Sequence, residues 1–167
     1  MRRVPRISAL LLLLPLAAAR AQDAPTLVLS AGVFDTAAWT GDKGDFEAIE
    51  AGVALHGTPR VWGVGPWGGI AANDDGAFWI SLGVRRPFAL RRCWHAGPAW
   101  AVAYYDRGDG KDLGHEIEFH TGLEIFCRGD SGRSLGIEFY HLSNAGLSDV
   151  NPGVNSLVVT YGIPLGR

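Results

Sequence analysis

The chain has few lysines and no sustained stretch of basic residues. Only Lys43 and Lys111 are lysines among its 167 residues, and the formal net charge is −2, so the sequence offers no basic face for nucleic acid. No compact spacing of cysteine and histidine predicts zinc, and we expect neither a metal nor another cofactor. Internal repeats, low-complexity tracts, linkers and sustained helical periodicity are also missing. The pattern therefore favours a single all-β domain.

The first residues resemble an export signal. A basic start precedes an apolar run over Ile7–Ala18, and Ala19–Ala21 places small residues where a signal peptidase cuts. The run has about a dozen residues, whereas a membrane-spanning helix needs about 20. We therefore predict a cleaved signal peptide over residues 1–21 and one mature domain over residues 22–167.

Glycine and aromatic residues are abundant after the signal. Six tryptophans are many for a domain of this size. Trp and Tyr form girdles where outer-membrane barrels cross the membrane interfaces, although a β-sandwich core also uses such residues. The tryptophans are Trp39, Trp62, Trp67, Trp79, Trp94 and Trp100.

Alternation with a period of two, bounded by turn residues, predicts eight strands and leaves no room for a sizeable helix. Most of the strands approach the roughly 9 to 11 residues that a tilted strand needs to cross a bilayer. An even number of strands places both termini on one side of an up-and-down barrel. The predicted strands are Thr26–Phe34, Phe46–Leu55, Val61–Ala71, Ala77–Val84, Trp94–Tyr105, His115–Cys127, Leu135–Ser143 and Asn155–Pro164.

The predicted strands have one apolar face. In the fourth strand Phe78, Ile80 and Leu82 alternate with Trp79 and Ser81. A membrane barrel turns its apolar side outward, whereas a soluble sheet buries it. Together with the export signal and the aromatic content, the alternation favours an all-β, eight-stranded antiparallel up-and-down transmembrane β-barrel in the outer membrane of a Gram-negative cell. A soluble periplasmic β-domain is the alternative.

Cys93 and Cys127 are the two cysteines of the chain, and an exported protein can keep a disulfide. A hairpin turn centred on Gly110 would place them opposite each other and favours a cross-strand bridge. Their parities disagree, because Cys127 continues the apolar face of its strand and Cys93 does not. A bulge near Pro98 would restore the register, so the sequence leaves the disulfide open.

A histidine and a serine near the C-terminus have the spacing of a catalytic pair. His141 and Ser143 lie two residues apart in the seventh predicted strand, so they share a face with Cα atoms about 6.5–7 Å apart. An imidazole can then reach the hydroxyl and activate it as a nucleophile. Both continue the predicted lipid-facing parity, as does Asn155 on the last strand. Because polar side chains in lipid are costly, this place favours an enzyme with a lipid substrate; rim residues solvated by headgroups are the alternative.

The segment from Glu138 to Pro164 resembles the outer-membrane lipid A 3-O-deacylase family, PagL. Outside this segment only length, export signal and strand count agree. The resemblance implies a barrel esterase that removes the acyl chain at the 3 position of lipid A, within lipopolysaccharide, without a metal; the oligomeric state, monomer or homodimer, stays open. It rests on His141-Leu142-Ser143-Asn144-Ala145-Gly146, then Asn151 and Gly153, then a last strand ending in Ile163-Pro164.

By this resemblance Ser143 would be the nucleophile and His141 the general base. The tetrahedral intermediate of ester hydrolysis carries an oxyanion that needs hydrogen-bond donors. Asn144, Gly146 and Asn151 are the candidates for contacts with the oxyanion or the substrate.

One position departs from the family pattern. The acidic member of the triad would fall at Asn155, whose amide can fix the tautomer of an imidazole but cannot stabilise imidazolium with a full charge. The sequence therefore predicts a slower enzyme, a substitute carboxylate such as Asp149, or a noncatalytic structural or lipid-binding barrel.

A further histidine, His120, lies near Glu118 and Glu124 on the polar face of the sixth predicted strand. Histidine and carboxylates can ligate a metal, but three residues on one strand do not form a compact ligand motif. The spacing favours a hydrogen-bond network in the barrel lumen.

Overall fold

The computed structural model describes residues 24–36 and 46–166. The predicted signal peptide, its cleavage site and Trp39 lie outside these residues. Within the described part, no helix is long and apolar enough to cross a membrane. The strands there are β1 Thr26–Thr36, β2 Phe46–His56, β3 Gly65–Asn73, β4 Phe78–Arg85, β5 Phe88–Ala89, β6 Trp94–Asp106, β7 Ile117–Arg128, β8 Ser134–Ser143 and β9 Val154–Pro164.

The strands form one antiparallel sheet that closes on itself. Their order is β4-β3-β2-β1-β9-β8-β7-β6-β5, and β4 also pairs with β6. β4 and β5 are two parts of one strand along β6, because Arg85 faces Ala99 and Phe88 faces Ala96 in a single register. Pro87 lies in the interruption, where its missing N–H cannot serve the ladder. The result confirms the predicted eight-stranded antiparallel barrel.

The strand bounds agree with the predictions to within two residues, except at the start of β3. Strand there was predicted from Val61, but Val61–Gly63 forms a 3-10 turn and β3 begins at Gly65. Trp62 adopts φ 55°, and the N–H of Val64 donates to the Val61 carbonyl at 3.0 Å. The hydrogen bond within this turn occupies backbone groups that a strand would use to pair with its neighbour. The prediction also missed the short β5.

The apolar face points away from the barrel. In β4 Phe78, Ile80 and Leu82 are exposed, whereas Trp79 and Ser81 are buried in the lumen. So large an exposed apolar surface is typical of a protein surrounded by lipid. Exposed apolar side chains on other strands include Leu29, Val53, Ile70, Val102, Leu123, Ile137 and Val159.

The barrel has two different ends. At one end both described ends of the chain meet, and the N–H of Leu165 donates to the Pro25 carbonyl at 2.7 Å. We call this the terminal end. The opposite end, here called the loop end, carries the connections over residues 107–116 and 144–153.

Charged and aromatic side chains fill the lumen. In the half near the terminal end, Arg85 Nη2 donates to Glu124 Oε1 at 2.5 Å, with both side chains buried. Near the loop end, the rings of Phe34, Trp79 and Tyr105 pack with centroids 5.2 to 6.4 Å apart. The barrel is therefore a packed core of polar and aromatic groups with an apolar exterior.

His120 belongs to this lumen, as predicted, but with another partner. Its Nε2 lies 3.0 Å from Oε1 of Glu138 on β8. Glu124 is engaged by Arg85, and the oxygens of the buried Glu118 have no hydrogen-bond partner among the described residues. The partner comes from a neighbouring strand, which spacing along one strand cannot predict. Residues 24–36 and 46–166 contain no group of three metal-ligating side chains.

Cys93 and Cys127 form a disulfide, so the open prediction is resolved in favour of the bridge. The β6–β7 register is one residue away from the predicted one, because Trp94 faces Cys127. Cys93 lies in the turn before β6, where Arg92 adopts φ 54°, so the parity of β6 does not apply to it. No bulge near Pro98 is needed, since the pairing runs without a break from Trp94 to Tyr104.

Candidate active site

The candidate residues lie at the loop end, where β8 and β9 finish pairing. The Cβ atoms of a strand alternate between its faces. Leu142 is fully buried in the lumen, so His141 and Ser143 on either side of it point outward, where both are half-buried. Asn155 shares that outward face on β9, directly opposite His141. The structure therefore brings His141 and Asn155 together on the lipid-facing surface.

A hydrogen bond joins this facing pair. His141 Nδ1 lies 3.0 Å from Asn155 Oδ1. An amide oxygen only accepts hydrogen bonds, so Nδ1 carries the hydrogen and Nε2 of a neutral imidazole keeps its lone pair. His141 is thus held in the tautomer that a general base needs.

Ser143 follows His141 by two residues and is the last residue of β8. Phe119 of β7 faces it across the ladder, and Thr121 faces His141. The hydrogen bonds of the described residues include none between the Ser143 hydroxyl and the imidazole. In enzymes without substrate such bonds are often long and shorten in the Michaelis complex.

Gly153 packs against the edge of the imidazole. A Cβ atom on this glycine would lie 2.7 Å from His141 Cε1 and 3.1 Å from Nε2, and φ is +60°. Such distances are too short for a side chain to fit without moving the ring. The Asn155 amide therefore contacts the imidazole at Nδ1, and the backbone of Gly153, which has no side chain, lies next to Nε2.

Asn144 organises the connection after β8. Its buried Nδ2 donates to the carbonyls of Leu113 at 2.9 Å and Val150 at 2.8 Å. Its Oδ1 accepts the N–H of Gly146 at 2.9 Å. Both amide hydrogens of Asn144 are thus donated to backbone carbonyls that hold segments 107–116 and 144–153 together.

Asn151 has a different environment from Asn144. Its Oδ1 accepts the backbone N–H of Asn144 at 3.1 Å, and the residue is exposed. Its Nδ2 has no hydrogen-bond partner within the described part of the chain. Asp149, the suggested substitute carboxylate, is exposed in the same segment and has no described contact with His141. Of the side chains proposed to stabilise an oxyanion, that of Asn151 keeps a free donor.

Two solved structures illustrate the fold that this chain shares. The crystal structure of the outer membrane enzyme PagL aligns with a TM-score of 0.64 and 18% identity, covering 84% of this chain and 99% of that chain. A structure from the de novo design of transmembrane β-barrels gives a TM-score of 0.57 and 9% identity, covering 84% and 95%. At such identities the likeness shows the fold alone. No curated protein matches the chain.

A family model carries the relationship further. The model described as Lipid A 3-O-deacylase (PagL) matches residues 61–164. This range is more than half of the chain and contains β3 to β9, with every candidate residue of the site. The chain belongs to the PagL family of lipid A 3-O-deacylases.

Proposed function

We propose that this protein hydrolyses the ester-linked acyl chain at the 3 position of lipid A, with Ser143, His141 and Asn155 at its active site. The observation that carries the proposal is the 3.0 Å contact between His141 Nδ1 and Asn155 Oδ1, which orients the imidazole on the same outward face of β8 as Ser143. Family membership supports the substrate class.

We place the barrel in the outer membrane with its terminal end in the periplasm. The predicted signal peptide and the apolar exterior support this location. The loop end then faces the cell exterior, so the site meets the outer leaflet, where lipopolysaccharide lies. A substrate reaches Ser143 sideways from the lipid, with its acyl chains along the apolar strands and its sugar above them.

In the first half of the proposed reaction, Ser143 Oγ attacks the acyl carbonyl carbon while His141 Nε2 takes the hydroxyl proton. The tetrahedral intermediate collapses when the C–O bond to the sugar breaks. His141 returns the proton to the leaving 3-oxygen, so the sugar departs as an alcohol and the acyl group stays on Ser143.

In the second half, water attacks the acyl-serine and gives its proton to His141. The intermediate expels Ser143 Oγ, which takes the proton back, and a free fatty acid leaves. Both intermediates carry an oxyanion. We assign the Asn151 Nδ2 group as one donor to it, because both amide hydrogens of Asn144 are already engaged.

Asn155 makes the proposed enzyme slower than one with a carboxylate there. The amide fixes the tautomer of His141 through Oδ1. It lacks the full negative charge that would stabilise imidazolium during each proton transfer. Catalysis by the proposed enzyme therefore depends more on the orientation of His141 and on hydrogen bonds to the oxyanion than on a negative charge beside the imidazole.

Purified protein tests the proposal directly. Wild-type barrel in detergent, given lipid A, should release the 3-linked fatty acid, detected by mass spectrometry of both products. Ser143→Ala, folded as judged by heat-modifiable migration, should release none beyond the protein-free background. Equal release by the two proteins would refute the assignment of Ser143.

A noncatalytic lipid-binding barrel is the second candidate, and the amide at Asn155 favours it. In that case the folded wild-type protein would retain lipid A in detergent but leave it intact. Asn155→Glu would then show whether a carboxylate alone restores chemistry.

A further inference from the structure

The facing pair of the candidate site has a counterpart inside the barrel. Tyr140 and Ser156 face each other across β8 and β9, one residue before His141 and one after Asn155. Because side chains alternate between the faces of a strand, Tyr140 and Ser156 point into the lumen. They are 4% and 0% exposed. The two pairs therefore share the same short stretch of backbone.

One carboxyl group joins the inner pair. The hydroxyl of Tyr140 donates to both oxygens of Glu50 at 2.7 Å, and the hydroxyl of Ser156 donates to Oε2 at 3.2 Å. Glu50 is 2% exposed. It belongs to β2, which pairs with neither β8 nor β9, since β1 lies between β2 and β9. The contact is thus a tie across the lumen.

The Tyr140 ring is held on a second side. The imidazole of His120 stacks on it with centroids 4.4 Å apart and an angle of 14° between the planes. His120 is fixed in turn by Glu138 Oε1, 3.0 Å from its Nε2. Tyr140 therefore has little freedom to move away from Glu50.

The tie lies close to one end of the β8–β9 ladder. The pairing of β8 with β9 ends at Leu142 and Val154, one pair beyond His141 and Asn155. Strand ends open more easily than strand centres, because fewer neighbours hold them. A cross-lumen anchor one residue away opposes such opening at the site.

We propose that Glu50 is a positioning residue for His141 and Asn155, acting through Tyr140 and Ser156 from inside the barrel. The inference rests on the proposed function for its consequence, since the positioned pair is the proposed base and its partner. Glu50 itself never touches the substrate, which lies outside the barrel wall.

The first test separates kcat from KM. Glu50→Ala removes the acceptor of both hydroxyls and should lower kcat roughly tenfold, because small misplacements of catalytic groups are costly. KM should stay within about twofold, because the lipid-facing surface is unchanged. Glu50→Gln keeps a carbonyl oxygen for one hydroxyl and an N–H for the other, so it should recover most of the lost kcat.

A control variant in the half of the lumen near the terminal end distinguishes a positioning role from a general effect on the stability of the barrel. Glu124 is also a buried carboxylate, bound to Arg85. Glu124→Gln should lower the temperature at which heat-modified migration appears but leave kcat unchanged. If Glu50→Ala and Glu124→Gln lower kcat equally at matched stability, the positioning role is refuted. If Glu50→Ala does not fold, Ser156→Ala, which removes one of the donors, replaces it with the same expectations.

Hydrogen–deuterium exchange gives a readout that needs no activity. Peptides covering residues 139–144 and 153–158 should exchange at least several-fold faster in Glu50→Ala than in wild type, with no such change in Glu124→Gln. Unchanged exchange there would overturn the inference even if the enzyme is active. Faster exchange in a protein whose Ser143→Ala variant still deacylates would support the tie and refute the proposed nucleophile.

Discussion

His141 and Asn155 face each other across β8 and β9, with 3.0 Å between Nδ1 and Oδ1, on the outward surface at the loop end of the barrel. This relationship ties an imidazole to a neutral amide where the family resemblance implies a carboxylate. The contact fixes which nitrogen of His141 carries the hydrogen. It does not supply the negative charge that a carboxylate would place beside the imidazole.

Substitution of Asn155 by glutamate should accelerate the reaction. A carboxylate in this place orients the imidazole and also stabilises imidazolium, so we expect kcat to rise by about tenfold or more. The measurement is the initial rate of lipid A deacylation at saturating substrate, compared with wild type at the same pH.

Asn155→Leu is the matched opposite change. It keeps the size of the side chain and removes the acceptor, so the rate should fall by about tenfold or more. If glutamate and leucine both leave the rate as in wild type, Asn155 does not orient His141.

Gly153→Ala should lower kcat by at least tenfold, because the new Cβ would lie 2.7 Å from Cε1 of His141 and displace the ring. Gly76→Ala is the matched control. Gly76 also has a positive φ, +83°, but a Cβ there has no atom within 4 Å. Initial rates of the two folded variants separate backbone strain from displacement of His141, and equal rates would argue against the role given to Gly153.

The disulfide should stabilise the barrel without affecting the site. It closes a loop with a sequence separation of 34 residues, for which the chain-entropy argument gives about 3–4 kcal/mol. It joins the turn before β6 to β7 at the terminal end, whereas His141 lies at the loop end. Cys93→Ser should therefore lower the urea concentration at the unfolding midpoint and leave kcat within about twofold. A large loss of kcat in the folded variant would show coupling between the two ends.

A charge on the apolar exterior should oppose insertion into lipid. Val159 lies near the middle of β9 and is 55% exposed. Val159→Arg should destabilise the folded barrel by about 2–4 kcal/mol in vesicles. Asp109→Arg, in the exposed connection 107–116, should have little effect. Equal folding yields of both variants in vesicles would contradict the assignment of the exterior to lipid.

The sequence predicts most of the barrel because its signal is local. In β4 the alternation of Phe78 and Ile80 with Trp79 and Ser81 already separates exterior from lumen. The same alternation does not predict turns. The alternation predicts a strand from Val61, but hydrogen bonds within the turn decide its conformation.

Only the parts of the site that lie on β8 and β9 were predictable from the sequence. The spacing of His141 and Ser143 gives their shared face, and the register of β8 with β9 brings Asn155 opposite. The role of Asn144 in holding two connections together depends on Leu113, 31 residues away. The tie from Glu50 to Tyr140 joins residues 90 apart, so no local pattern carries it.

The most direct test of the account is the mass of lipid A from a Gram-negative host that expresses this chain, compared with a host that expresses Ser143→Ala. We predict that the wild-type chain removes one 3-linked acyl chain from lipid A and that the variant, present at the same level in the outer membrane, removes none. Lipid A of unchanged mass with a folded wild-type barrel in that membrane would contradict the proposed activity.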